Sequence, residues 1–315
     1  MSNKISVALI GAGYTATEHA KVFADLPDAE IVGIHSNRRE SAEAFASEHN
    51  IPNVYDSIEE LYDGTKADIV LVTVYETSMK AVCLKCIEYP WTLFVEKPPG
   101  MNVGEAEEIL ASAEANDRDV YVALNRRFYG STLAAVDGLA DIDEPRYIYI
   151  QDQEDRDTAL AVGQPEVVVK NWMYANSIHM VDFAYIFGRG DVVEVKPIFP
   201  LTDEHPRVIT SAITFSSGDR VIYEAVWEAP APWSVSITTS QKRWELRPVE
   251  DASYQNAGER QRHTLERPEV DTKFKPGFWK QAEQVVKKVQ GEDSASISLK
   301  ESLKTMRLIR EIYGE

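Results

Sequence analysis

Two short stretches of this sequence carry residue types at a spacing suited to chemistry. The first is Gly11-Ala12-Gly13-Tyr14-Thr15-Ala16, between the apolar run ISVALI (5–10) and a helical pattern over 15–25. A strand that enters a helix through Gly-x-Gly-x-x-Ala suits a pyrophosphate. The first glycine permits the tight turn, the second lets the backbone approach phosphate oxygens, and the small third residue lets helix pack on strand. The helix N-terminus adds N–H groups and a positive dipole end. The second stretch is ANSIHMVD, Ala175–Asp182. Asn176 or Ser177 reads as an N-cap and Gly188 as a stop, with Ile178, Val181, Tyr185 and Ile186 on one apolar face. That places His179 in a first helical turn, where the dipole disfavours imidazolium and leaves a neutral base, with Asp182 one turn on to orient it. The alternative is a histidine held by local hydrogen bonds with no part in chemistry.

The phosphate loop raises the question of which dinucleotide it serves. A carboxylate about twenty residues on would select the free ribose of NAD. Here the place is taken by Ser36, followed by Asn37, Arg38 and Arg39. Nothing there repels a 2′-phosphate and either arginine can pair with it, which favours NADP while NAD stays open. Equally, Asn37-x-x-Glu40 resembles a capping box that starts a helix over 38–48 and leaves both arginines in solvent.

The elements that must position these residues change character along the chain. Apolar runs at 5–10, 30–35, 68–74, 92–97 and 119–124 alternate with helical patterns at 15–25, 39–48, 78–88 and 103–116. This predicts a doubly wound parallel sheet, a Rossmann-type α/β domain over residues 1–122. Beyond about residue 145 the runs lengthen and alternate, and Ser217-Gly218-Asp219 marks a hairpin. Residues 123–315 are therefore expected to form an α+β domain with a large, mostly antiparallel sheet, used for substrate binding and oligomerisation. A helix is expected near 177–187, two more at 276–289 and 298–312, and a long polar loop at 249–272.

Bulk properties narrow the function classes. The chain has 315 residues and a formal net charge of −18. Such an acidic surface repels nucleic-acid backbones and anionic lipid heads. No apolar run is long enough for a membrane span and the N-terminus lacks signal-peptide regions, so a cytoplasmic protein is expected. Cys83 and Cys86 form a C-x-x-C with no second ligand cluster, which reads as two buried thiols and no metal site.

FVEKPPG (Phe94–Gly100), some eighty residues after the phosphate loop, resembles the Gfo/Idh/MocA family of sugar and nucleotide-sugar oxidoreductases. NRRFYGS, SIHMVDFAYIFG and FKPGFWKQ extend the resemblance along the chain. The resemblance implies that Lys97 hydrogen-bonds the hydroxyl being oxidised and helps move its proton, a role open to a lysine in a partly dry cleft. It implies that Glu96 orients Lys97 or contacts the nicotinamide ribose, and that His179 serves the same proton. Thr73 and Tyr75 after the third strand, and Asn125 after the fifth, are implied cofactor contacts. The family's acid four residues before the histidine is replaced by Ala175, which marks a divergent member.

Arg126 and Arg127 lie at the carboxyl edge of the first sheet, where each can anchor an anionic substrate group or form a structural salt bridge. Trp172 and Asn176 are further candidate substrate contacts. His19, on the first helix, is expected to be structural. Three functions are consistent with these residues: a nicotinamide-dependent sugar or nucleotide-sugar oxidoreductase, a dinucleotide-binding sensor without turnover, and a redox-assisted glycoside hydrolase. A homo-oligomer, dimer or tetramer, is expected.

Overall fold

The computed structural model describes residues 4–202 and 207–314. They form two compact units, each assembled from two pieces of chain. The first holds the chain up to Asn125 together with Val270–Leu303; the second holds Arg126–Glu269 and the chain from Lys304 onward.

In the first unit the strands are β1 (Ile5–Ile10), β2 (Ala29–His35), β3 (Val54–Tyr55), β4 (Ile69–Val72), β5 (Thr92–Val95) and β6 (Val120–Val122). Helices α1 (Tyr14–Asp25), α2 (Arg39–His49), α3 (Ile58–Thr65), α4 (Glu76–Ile87) and α5 (Val103–Ala115) connect them. All pairings are parallel, in the order β3-β2-β1-β4-β5-β6. This is the strand order of the dinucleotide-binding fold. Its central strands read as unbroken apolar runs because both faces are covered; β4 is buried at every residue.

Two elements were not anticipated, β3 and α3. A two-residue strand is too short to show a period, but α3 carries a legible start signal. Ser57 accepts from the Glu60 N–H at 3.0 Å, and Glu60 accepts from the Asp56 N–H. The Asn37 capping box, by contrast, does not form. The chain stays extended through Arg38, whose carbonyl opens the ladder of α2 by accepting from Ala42, one residue later than the box requires. Cys83 and Cys86 are free and buried on α4, and burial pushes the Cys83 thiol up to about 12.

The 3₁₀ turn Asn125–Phe128 leads from the first unit into the second, whose elements begin with α6 (Gly130–Asp137), β7 (Tyr147–Glu154), α7 (Arg156–Ala161) and α8 (Glu166–Lys170). A wide helical turn, Met173–Ser177, runs into α9 (Ile178–Val181) and α10 (Phe183–Phe187). The strands β8 (Val192–Phe199), β9 (Val208–Phe215), β10 (Arg220–Trp227), β11 (Ser234–Thr238), β12 (Lys242–Leu246), β13 (Ala252–Asn256) and β14 (His263–Thr264) follow. They join β7 in an eight-stranded sheet, β14-β13-β12-β11-β7-β10-β9-β8, antiparallel except for the parallel pair β7–β10. The β9–β10 hairpin turns at Ser217-Gly218-Asp219, where Gly218 has φ +89°.

The polar stretch 249–272 is not the loop expected from its composition. It pairs through β13 onto β12, with Tyr254 opposite Trp244 and their rings 5.0 Å apart. Strand pairing there is decided by the partner strand rather than by an apolar period.

The chain closes with α11 (Glu269–Lys273), α12 (Phe278–Val289) and α13 (Leu299–Tyr313). Phe278, Ala282, Val285 and Val286 of α12 join the core of the first unit with Ala16, Ala20 and Phe23 of α1. Burying each of the larger of these side chains stabilises by about 1.5–3 kcal/mol.

Candidate active site

Each unit carries part of the predicted chemistry. In the first, Gly11 closes the turn after β1 with φ +108°, and its N–H donates to the His35 carbonyl at 2.9 Å. A Cβ there would lie 2.5 Å from the Thr73 carbonyl oxygen, so only glycine lets β1 and β4 converge at this point. Gly13 caps α1 and faces open space, with no atom within 4 Å of where a Cβ would stand. Ala16 is fully buried beneath it. A pyrophosphate therefore fits this loop: the free space lies over Gly13 and the first N–H groups of α1 lack helical partners. Tyr14 and Tyr75 are both largely exposed. Thr73 donates from its hydroxyl to the Ile10 carbonyl at 3.1 Å, tying β4 to β1.

After β2, Ser36 is half-buried and Asn37, Arg38 and Arg39 are exposed. The two arginines differ. Arg39 donates to Glu43 at 2.8 Å and pairs closely with Asp56. Among the described residues Arg38 makes no ion pair.

At the end of β5, Glu96 is buried and its Oε1 lies 2.8 Å from His19 Nε2. Its Oε2 accepts the Lys97 backbone N–H at 3.2 Å. Burial alone would raise the Glu96 pKa, but the His19 hydrogen bond and the charges of His19, Lys97 and Lys275 outweigh it and hold the carboxylate below its ordinary range. His19 is fully buried between the Phe94 and Phe278 rings. The expected structural histidine thus has a specific task, fixing the carboxylate next to Lys97. Lys97 is half-buried and precedes a cis peptide to Pro98. Lys275 was not singled out beforehand; its ammonium lies 5.3 Å from the Tyr14 ring centroid, at the phosphate loop. FKPGF was the only hint of it. Asn125 is buried and donates its side-chain amide to the Pro276 carbonyl at 3.0 Å.

In the second unit the helix-start reading of His179 fails. Ser177 has helical angles and makes no cap bond, and the helical path already runs from Met173. The polar groups expected to cap are drawn elsewhere: Asn176 Nδ2 and Ser177 Oγ both donate to Glu154, at 2.9 and 3.4 Å. His179 is buried within the segment, so the dipole argument for its neutrality does not apply. Asp182, expected to orient it, is gripped by other groups. Arg127 donates to both of its oxygens, at 2.6 and 2.7 Å, and the Thr305 hydroxyl donates at 2.7 Å. Of the two alternatives open for Arg127, the salt bridge is the one formed. The Arg126 guanidinium lies 4.7 Å from the Trp233 ring centroid.

The sequence reading missed Asp152 and Glu154. The inward positions of β7 run Ile148, Ile150, Asp152, Glu154, and all four are buried. Extending the period of two through RYIYIQDQED would have exposed the anomaly of two acids at core positions. Glu154 Oε2 accepts from Trp172 Nε1 at 2.5 Å and from Asn176. Asp152 accepts from the Tyr223 hydroxyl at 2.7 Å, and Tyr223 lies 3.0 Å from the Tyr313 hydroxyl. Burial raises both pKa values, and the Asp152 charge raises that of Glu154 further. An open cleft of about 380 Å³ lies over Glu154, Trp172, Asn176 and Trp233.

Residues 5–124 match the family model described as oxidoreductase family, NAD-binding Rossmann fold. The trans-1,2-dihydrobenzene-1,2-diol dehydrogenase of Mus musculus is 28% identical over 123 residues, covering 38% of this chain and 37% of that enzyme. The aligned stretch is thus little more than a third of the relative's length. A dehydrogenase from Chromobacterium violaceum has the same fold, with a TM-score of 0.85 at 19% identity over 99% of this chain and 95% of its own. The aldose-aldose oxidoreductase from Caulobacter crescentus superposes with a TM-score of 0.80 at 18% identity, over 99% and 97% of the two chains. Over residues 5–124 this chain is thus similar to the NAD-binding domain of the Gfo/Idh/MocA oxidoreductases, and its two units share the fold of the solved dehydrogenase and oxidoreductase.

Proposed function

We propose that this protein is an NAD(P)-dependent oxidoreductase acting on a hydroxyl or keto carbon of a sugar or nucleotide sugar. The observation that carries the reading is the His19–Glu96–Lys97 arrangement, at the carboxyl edge of the same parallel sheet that bears the Gly11–Ala16 loop. Gly11, Gly13 and the first turn of α1 would hold the pyrophosphate, Arg38 a 2′-phosphate, and Thr73, Tyr75 and Asn125 the remainder of the dinucleotide. A bound nicotinamide supplies the hydride acceptor or donor. Lys97 takes or returns the proton at the substrate oxygen, and Glu96 keeps the lysine backbone in place. His179 is the second basic group of the reaction. The sugar class is supported by the aldose-acting structural neighbour. The lean to NADP rests on Arg38.

The outer face of the second sheet exposes Tyr147, Tyr149, Val193 and Val208. We propose that it pairs with another copy in a homo-oligomer, dimer or tetramer. Among the described residues no helix is long and apolar enough to cross a membrane. We propose a cytoplasmic location on the strength of the nicotinamide-dependent reading.

A second reading, a dinucleotide-binding protein without turnover, is favoured by one observation: Asp182 is committed to Arg127 and Thr305. Titration with NAD and NADP followed by nicotinamide absorbance over a sugar panel separates the two. Lys97→Ala is expected to lower kcat by roughly 10²–10⁴-fold with dinucleotide affinity unchanged. Undiminished turnover would remove Lys97 from the mechanism. Dinucleotide binding with no substrate turned over would favour the sensor, and sugar release without net cofactor change a hydrolase.

A further inference from the structure

We propose that Lys275 binds the pyrophosphate of the dinucleotide: the segment before α12 brings it to the glycine loop as the cation that the loop itself does not contain. The inference rests on the nicotinamide-dependent reading above and deepens it. The loop admits a phosphate by its shape, and Lys275 sets how tightly the phosphate is held.

Residues 11–18 contain no lysine or arginine and end on Glu18, in a chain of net charge −18. The next cation along α1, Lys21, already donates to Glu18 at 2.8 Å. A dinucleotide brings a negative charge on each phosphate of its pyrophosphate. Against these α1 offers the N–H groups of its first turn and a dipole end worth roughly half an elementary charge. The loop therefore fits a pyrophosphate in shape and leaves most of its charge uncompensated, in a field that is negative overall.

Lys275 stands where that deficit lies. Its ammonium is 5.3 Å from the ring centroid of Tyr14, the first residue of α1, and 5.0 Å from that of buried Phe278. Two aromatic faces attract the ammonium, and its three N–H donors suit a phosphate oxygen. The backbone that carries it is fixed. The Lys275 carbonyl accepts the Phe278 N–H at 3.1 Å, and the Pro276 carbonyl accepts the Asn125 amide at 3.0 Å. Gly277 turns into α12 with φ +74°, its N–H donating to buried Asp271 Oδ1 at 2.9 Å. Lys273 pairs with Asp25 at the end of α1, and Trp279 Nε1 donates to the same carboxylate at 2.9 Å. A backbone held before any ligand arrives lowers the ordering cost of using its lysine. Toward β5 the same charge reaches Glu96. Burial opposes ionisation there, and the His19 hydrogen bond with the charges of His19, Lys97 and Lys275 outweighs it. Lys275 thus lies within electrostatic reach of both the phosphate loop and the strand end that carries Lys97.

The test uses the full-length protein. NAD, NADP and ADP-ribose are titrated by calorimetry at low and high NaCl, and adenosine, which has no phosphate, by ligand-observed NMR. Lys275→Met keeps the apolar stem and removes the charge. It is expected to raise the Kd of NAD and ADP-ribose by roughly 10–100-fold and to leave adenosine within about twofold. Lys275→Arg keeps the charge and should stay within about fivefold of wild type. Added salt should weaken dinucleotide binding more steeply in the wild type than in Lys275→Met. Lys275→Gln repeats the measurement if Lys275→Met fails to fold. Wild-type ADP-ribose affinity in both neutral variants, or an equal loss for ADP-ribose and adenosine, would overturn the inference and leave the oxidoreductase reading in place. A loss confined to the phosphate-bearing ligands, in a protein whose wild type turns over no sugar, would keep the inference and sink that reading. A wild type that binds none of the dinucleotides would overturn both.

Discussion

Arg127→Ala should destabilise the protein well beyond what a surface substitution can do. The guanidinium donates to both oxygens of Asp182 at 2.6 and 2.7 Å, and the side chains are only 17% and 2% exposed. Removing the arginine leaves a buried carboxylate to which the Thr305 hydroxyl donates at 2.7 Å. Breaking a buried pair by removing one member costs about 3–5 kcal/mol, because the other charge loses its compensation. Water reaches the Arg127 side of this pair, so the lower end, about 3 kcal/mol, is expected. For a unit of this size that is a fall in Tm of roughly 6–12 °C. Urea denaturation followed by circular dichroism reads it directly. Replacing both partners, Arg127→Met with Asp182→Leu, should recover most of the loss, since an apolar pair leaves no stranded charge. A substrate-anchoring arginine behaves differently: its loss raises KM and leaves the denaturation midpoint in place. A single-mutant loss under about 1 kcal/mol, the size of an exposed ion pair, would refute the buried-charge reasoning.

Three further outcomes are expected. Arg38→Ala should weaken NADP by about tenfold relative to NAD in a binding titration, whereas Arg39→Ala, whose guanidinium already serves Glu43 and Asp56, should change the ratio little. Gly11→Ala forces an alanine to φ +108° with its Cβ against the Thr73 carbonyl, and should lower stability by about 1–3 kcal/mol while raising the dinucleotide Kd. Burial raises the Asp152 pKa from 3.8 to about 6, so the folded protein binds more protons than the unfolded chain in that window. Its contribution is fully present below pH 3.8 and is lost as pH rises through about 6; comparing denaturation of wild type and Asp152→Asn from pH 4 to 7 should show the mutant gaining relative stability with pH.

The first sheet was legible because a parallel sheet covered on both faces is written as apolar runs, and because Gly11, Gly13 and Ala16 each answer a local steric demand. Lys97 was legible only through the company of Glu96 and Pro98. His19 was not, since its partner Glu96 is seventy-seven positions away and no local pattern joins them. The helix-start reading of His179 failed for a related reason. Asn176 and Ser177 have good capping side chains, but Glu154, on another element, takes both. Capping preference is a local competition, and a buried carboxyl is a stronger competitor than a helix end. Asp152 and Glu154 were visible in principle, as two acids continuing an inward period, but sequence shows only that they violate the pattern and not what satisfies them.

The return of α12 to the first unit has a consequence for synthesis. A ribosome releases the whole of β1 to β6 long before Phe278, Ala282, Val285 and Val286 emerge. During that interval the apolar surface of α1 that α12 will cover stays open to water, and the phosphate loop stands at the head of a helix that is packed on one side only. Full protection of α1 against proteolysis should therefore appear only once α12 has emerged from the ribosome. A nascent chain stalled before α12 should be cut within α1, and one stalled after it should not.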